Sequence, residues 1–394
     1  MIIDDSSDMT IKRSVADIDT VLWRSVLQAL ENERCLDIRY RRMNPVLCDD
    51  PGMPNYKVMK QKILHERFGI MYLPILVLAQ FLIPVFGLAQ LVMAAGISII
   101  RRGRGVGAKL HLVATTSSNV RLIEFALSEK GDCPSYDADL LRVTRLAADI
   151  RLTGVMRCTW AYFHLLGHIM GSKGRRRDML LHMRDAVPLL MLVFYAKMNP
   201  DHVFVTDDHY QRWSFLLSHS SQNFQIVQHG FLDWEIEFEH AFGVVHRLFV
   251  RDESFVRYFA QYYKVFEWKC FSGLTTLDSN PYAACAVFLA SSFPSIDAEI
   301  EFVRTFRQQS DAPIIVKFHP SHHYDDRKSV LSSFADYVCP EDQNPACRIF
   351  VSHSSFMEYD YRALGIHTVS IARFEGARFA VEAVLRQLDG LTRQ

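Results

Sequence analysis

Between Phe68 and Ile100 the chain carries no charged side chain. As one straight helix this stretch would reach roughly 50 Å at about 1.5 Å per residue, against a hydrocarbon core about 30 Å thick. Pro84 and Gly87 fall in its middle, where a helix is expected to break. Lys57, Lys60, Lys62 and Arg67 precede it, and Arg101, Arg102, Arg104 and Lys109 follow it. Positive charge on both flanks favours keeping both ends on the cytoplasmic side. The sequence therefore predicts a membrane-inserted helical hairpin over 68–104 that dips into one leaflet. A clean single span and a buried pair of core helices are the competing readings.

The 394 residues suffice for two domains. Basic and acidic side chains balance at 44 each, so no overall field calls for nucleic acid. None of the eight cysteines forms a Cys-x-x-Cys pair, which argues against a zinc ribbon or a redox motif and suits reduced thiols in the cytosol. The acidic start Met1-Ile2-Ile3-Asp4-Asp5 lacks the order of a secretory signal. Ser14 and Asp17 resemble a capping box for an amphipathic helix over 14–33, and the prolines of 44–56 read as a linker, so 1–67 is expected to be a helical region and its linker.

From residue 105 the pattern turns to strand and helix in alternation. Leu110 to Thr116, His202 to Thr206, Phe224 to Gln228 and Arg247 to Val250 are apolar and β-rich, and helix-length apolar runs cover 154–170 and 186–198. The run Lys173-Gly174-Arg175-Arg176-Arg177 is a solvated loop or a contact for anionic lipid. The strands end in polar groups: Asp207-Asp208-His209, His229-Gly230 and Arg251-Asp252. A link over 273–281 separates a domain at 105–275 from a second at 282–394, and the sequence predicts an α/β fold of two Rossmann-like domains whose polar strand ends face a cleft.

The second domain holds the densest chemistry. Ile314 to Lys317 leads into Phe318-His319-Pro320, and Arg348 to Ser352 leads into His353-Ser354-Ser355 and a helix carrying Glu358. In open parallel sheets, ligands bind outside the carboxyl ends of strands. A helix start capped by Ser354 or Ser355, with Lys317 as a point charge and His319 as a donor, is suited to a phosphate. Transfer from a nucleotide-activated donor also needs a base on the other domain: His229 is the first candidate and Asp208 the second. His319, Lys317 and the helix behind the serines would neutralise the leaving phosphate without a metal or other cofactor. Glu358 could accept from ribose hydroxyls or simply favour the helix dipole. His322-His323 with Asp325-Asp326 has no metal-specific spacing, and no Gly-x-Gly-x-x-Gly, Walker loop or Gly-x-Ser-x-Gly elbow occurs.

Val227-Gln228-His229-Gly230, Lys317-Phe318-His319-Pro320 and Val351-Ser352-His353-Ser354-Ser355-Phe356-Met357-Glu358 resemble the His-Gly, His-Pro and Ser-Ser motifs of bacterial surface-polysaccharide transferases. These include polysialyltransferases, capsule Kdo transferases and teichoic-acid glycerophosphotransferases. The resemblance, over roughly 200–370, implies a GT-B fold and a phosphate site at His319, Pro320, Ser354 and Ser355 for a CMP- or CDP-type donor. From the glycerophosphotransferases it implies His229 as base; from the sialyltransferase branch, an acidic residue, which favours Asp208. The expected function is a membrane-associated glycosyltransferase at the cytoplasmic face of the inner membrane. It would move a sugar from a CMP-, CDP- or UDP-linked donor to a lipid-linked or growing glycan. A CDP-polyol phosphotransferase and a non-catalytic nucleotide-binding relative are the alternatives. The uncharged stretch 68–100 departs from the soluble members of the group.

Overall fold

A computed structural model describes residues 15–43, 54–57, 68–100, 109–113, 117–128, 135–137, 140–230, 237–271, 276–283, 286–291, 295–318, 326–353 and 355–392. The chain divides into two compact units. The first comprises Met1–Gln228, Leu232–Val250 and Ser254–Lys269, and the second His229–Phe231, Arg251–Glu253 and Cys270–Gln394.

The first unit opens with two long helices, α1 (Val15–Met43) and α2 (Tyr72–Ile100), the latter entered through a 3-10 turn at Gly69–Met71. Then follow β1 (Leu110–Leu112), α3 (Ser117–Leu127), β2 (Tyr136–Asp137), α4 (Val143–Asp149), α5 (Leu152–Gly171), α6 (Arg176–His182) and α7 (Ala186–Met198). The unit closes with β3 (Val203–Thr206), α8 (Arg212–Ser220), β4 (Phe224–Val227), β5 (Val244–Val250), α9 (Ser254–Ala260) and β6 (Lys264–Cys270). The strands lie in the order β2-β1-β3-β4-β5-β6, and the pairings from β2 through β5 are parallel. A parallel sheet is covered on both faces, which is why its strands read as mostly apolar. Every residue of β4 is buried. So is every residue of α7 from Ala186 to Ala196, because α1, α4, α5 and α8 surround it. The segment Arg176–Met198 is apolar and long enough to cross a membrane, but it is 89% buried and serves as core.

The expected break at Pro84 does not occur: α2 is one continuous helix, not a hairpin. Proline removes one backbone hydrogen bond and crowds the preceding turn. Packing along the whole length of α2 offsets that loss. Tyr72, Leu76, Gly87, Leu91, Ala94 and Ser98 form a buried stripe at helical spacing, laid against α4, α5 and α6. Tyr162 of α5 donates to the Pro84 carbonyl at 3.0 Å, and Ser98 donates to the Ile150 carbonyl at 2.7 Å. Gly87 is what allows the Tyr162 approach, since a Cβ there would lie 2.3 Å from the hydroxyl. The second difference is at α1, which runs on to Met43 and buries Glu33 and Asp37 along with its apolar stripe.

The second unit comprises β7 (Val287–Ala290), α10 (Ile296–Arg307), β8 (Ile314–Lys317), α11 (Asp326–Ser332), β9 (Tyr337–Val338) and β10 (Ile349–Ser352). It ends with α12 (Met357–Ala363), β11 (His367–Ser370), a 3-10 turn at Ile371–Arg373 and α13 (Ala377–Thr392). The order is β11-β10-β7-β8-β9, all parallel. One face carries Phe302, Phe306, Leu331 and Val381 from α10, α11 and α13; the other carries Phe288, Phe350 and Tyr361. Each fully buried side chain of this size contributes about 1.5–3 kcal/mol. After α12 the chain reverses at Gly365, whose φ of 79° lies in the left-handed region that glycine tolerates. Its N–H donates to the Arg362 carbonyl at 3.0 Å, and Ile366 N–H to the Tyr361 carbonyl at 3.0 Å.

Candidate functional site

Strand order locates a place that residue spacing alone does not. In a doubly wound sheet, ligands bind where successive connections leave in opposite directions, outside the carboxyl ends of the two central strands. The second unit runs from β7 outward to β8 and β9, then returns to β10 on the other side, so its switch lies between β7 and β10. The first runs from β1 to β2, then returns to β3, so its switch lies between β1 and β3.

At the β7/β10 switch the hydroxyls are ordered. Ser291, directly after β7, donates to the buried Glu299 carboxylate at 2.5 Å. Ser352 Oγ accepts the Ser355 N–H at 3.2 Å, and Ser355 Oγ accepts the Met357 N–H at 3.3 Å. Ser370 donates to the His353 carbonyl at 2.9 Å, tying β11 to the same loop. Ser355 thus stands half-buried at the entrance to α12. Ser354, His319 and Pro320 lie outside the described residues, as do His322, His323 and Asp325.

Two other expected donor-site residues are engaged elsewhere. Lys317 Nζ donates to the Gln343 carbonyl at 2.6 Å and to Asn344 Oδ1 at 3.2 Å. Burial pushes its pKa down. Glu358 is buried and accepts from both Arg362 and Arg373, the latter at 3.1 Å. Two guanidiniums on one carboxylate leave a net positive charge beside the end of β11, a role spacing had given to Lys317. The segment 251–253 also belongs to this unit. Arg251 pairs with Asp360 at 2.5 Å and lies over the Phe271 ring at 4.5 Å, lining a cavity of about 210 Å³ with Tyr359 and Ala363. Burial lowers its pKa despite that carboxylate.

At the β1/β3 switch the acidic pair is central. Asp207 is 2% exposed and accepts from Asn119 of α3, a residue that spacing did not single out. Asn119 becomes visible only once β1 and β3 are known to be neighbours. Asp208 is half-buried; its N–H donates to Thr206 Oγ1 at 3.2 Å, and its carbonyl accepts from Ser214. Burial, with the Asp208 charge next, raises the pKa of both Tyr40 and Tyr263. His229 follows β4, one strand removed from the switch, and is exposed; its segment groups with the second unit. Gly230 does not adopt positive φ, so the turn there does not depend on glycine.

A buried ionic network adjoins the β3 end. Arg212, the first residue of α8, sits 3.0 Å from Glu33 and 2.7 Å from Asp185. Burial opposes its charge, but Glu33 and Asp185 outweigh burial and raise its pKa. Asp37 accepts the Lys57 N–H at 2.8 Å and lies 3.6 Å from His182. The one sequence signal was Glu33 and Asp37 continuing the apolar stripe of α1. A further carboxylate–imidazole group, Glu31, Glu239 and His240, has metal-like proximity, yet Arg175 at 2.9 Å from Glu239 already supplies positive charge. Comparison with protein-family models, with curated proteins and with solved structures gives no match.

Proposed function

We propose that the chain is a membrane-associated glycosyltransferase of GT-B type acting at the cytoplasmic face of the inner membrane. It would use a nucleotide-activated donor, without a metal, to extend a lipid-linked or growing bacterial surface glycan. The observation that carries this reading is the agreement between motif and topology in the second unit. The Ser-Ser motif, read from sequence as a phosphate site, follows the strand that forms the switch point. His319 and Pro320 follow β8, and the pair Arg362/Arg373 adds positive charge suited to a diphosphate. In the first unit, topology favours Asp208 over His229 as the base, because Asp208 follows a switch strand.

The test is nucleotide release from CMP-, CDP- and UDP-sugars and CDP-glycerol, with a lipid-linked acceptor. General-base loss costs about 10²–10⁴ in rate, so Asp208→Asn is expected to fall by that amount while His229→Ala keeps most activity. Full activity in Asp208→Asn removes its assigned role. Turnover of CDP-glycerol alone moves the protein to polyol-phosphate transfer.

A further inference from the structure

The uncharged helix α2 is not the whole of the apolar surface. On its outer side Phe81, Val85, Val92 and Ile100 are 71%, 61%, 74% and 83% exposed. Every exposed side chain among the described residues of α2 is apolar, with no donor or acceptor. The neighbouring α5 continues this surface. Met156, Trp160, Phe163, Gly167 and Met170 recur at helical spacing and are all exposed, while Val155, Cys158, Tyr162, Leu165 and Ile169 face inward. Helices α2 and α5 pack side by side through Tyr162 and Pro84, so the two outer rows are neighbours.

We propose that α2 and the outer row of α5 form one membrane-docking face, seated in a single leaflet with both helices lying along the bilayer. The proposal rests on the membrane half of the reading above and is independent of the transfer chemistry. Three observations select lipid. A protein interface carries about one hydrogen bond per 100–200 Å², and the outer face of α2 offers no side chain able to make one. Second, α2 is fastened to α4, α5 and α6 from Tyr72 to Ser98, so it cannot cross alone, and those partners would have to enter the hydrocarbon with it. Helix α5 carries Arg157, His164 and His168, which a span would have to bury at a cost of several kcal/mol. Third, the rim suits headgroups. Arg151 precedes α5, and Lys173 and Arg176 follow it, all exposed.

The α1 edge of this face holds a cavity of about 510 Å³ lined by Trp23, Trp160, Phe163, His164, Gly167 and His168. The Trp160 and His164 rings meet at a tilt of 48° with centroids 3.9 Å apart, and Trp23 lies 5.5 Å from His168. Exposed Arg24 lies 5.5 Å from the Trp23 ring. Nothing lies within 4 Å of where a Gly167 side chain would start, so glycine keeps this space open. Tryptophan and histidine at headgroup depth, with apolar rows beside them, match the interfacial zone of a bilayer.

The experiment is flotation of the full chain with vesicles of phosphatidylcholine and phosphatidylglycerol, with tryptophan quenching by lipids brominated at shallow or deep acyl positions. The wild type floats, and its emission is quenched more by shallow than by deep bromines. Trp160→Phe removes much of that quenching. Met156→Ser/Phe163→Ser weakens vesicle affinity by about tenfold or more, since both apolar side chains leave water when the face docks. A protein that floats with Trp160 unquenched and the double variant unaffected overturns the α5 face while leaving α2 as an anchor. Absence of flotation, with or without self-association of the chain by light scattering, overturns both this proposal and the membrane reading.

Discussion

His111 offers the sharpest test of how the first unit is built. It lies in the middle of β1, fully buried, with Nε2 2.9 Å from His202 Nδ1 and 3.5 Å from the Tyr195 hydroxyl. Phe204 stacks on it at 5.3 Å. Asp137 and Arg145 act on it with opposite signs. One proton serves the contact between the two imidazoles, so the rings are not both charged while it stands, and burial favours the neutral form of each. Burial, then the His202 charge, holds the His111 pKa down at about 4, below the ordinary 6.5. The unfolded chain therefore takes up the proton first. Stability is full above about pH 6.5 and is lost as pH falls toward 4. At about 1.4 kcal/mol per pH unit the loss reaches about 3 kcal/mol. Urea unfolding of wild type and His111→Leu, at about pH 7.5 and about pH 4.5, isolates this effect because the carboxylates common to both cancel. At the higher pH the variant is less stable by about 1 kcal/mol for the lost hydrogen bond. At the lower pH that order reverses, with a swing of about 2–3 kcal/mol. A difference independent of pH refutes the buried neutral pair. His202, lowered by burial too, titrates with His111 as a unit.

In the second unit, Arg251→Met strands the buried Asp360 carboxylate and costs about 3–5 kcal/mol, whereas Arg251→Met/Asp360→Leu recovers most of it, read as a double-mutant cycle in urea. Gly87→Ala forces a Cβ into the Tyr162 ring and lowers stability by about 1–3 kcal/mol despite alanine's better helix propensity, while Gly96→Ala, with nothing within 4 Å, is tolerated; thermal unfolding compares the two.

The sequence announced its strands best where both faces are buried. Phe224–Val227 and Ile349–Ser352 are fully buried and mostly apolar, with Gln225 and Ser352 the exceptions, and both form as strands. It did not announce β2 and β9, of two residues each, or the mostly exposed β6, because short or edge strands are defined by their neighbours rather than by their own composition. Pro84 misled for a related reason: local propensity favoured a break, and contacts with residues far along the chain preserved the helix. For the candidate site, the polar strand ends were legible, but their ranking required strand order. Order gives weight to Asp207, Asp208 and Ser355, and reveals Asn119 and Ser291. Lys317 and Glu358 stand near the anticipated places, yet Asn344 and Gln343 hold the first and two arginines hold the second. No spacing rule encodes such partners, which come from loops brought together by folding.

The central claim is a nucleotide's phosphate held at the β7/β10 switch. Calorimetric titration of the full chain with CMP, CDP and UDP tests it most directly, comparing wild type with Ser355→Asp, which sets a carboxylate where the phosphate would lie. The account predicts that at least one nucleotide binds the wild type, and that Ser355→Asp weakens it by about tenfold or more through like-charge repulsion, with an unchanged unfolding midpoint. Binding of none of the three, or equal affinity in Ser355→Asp, contradicts it.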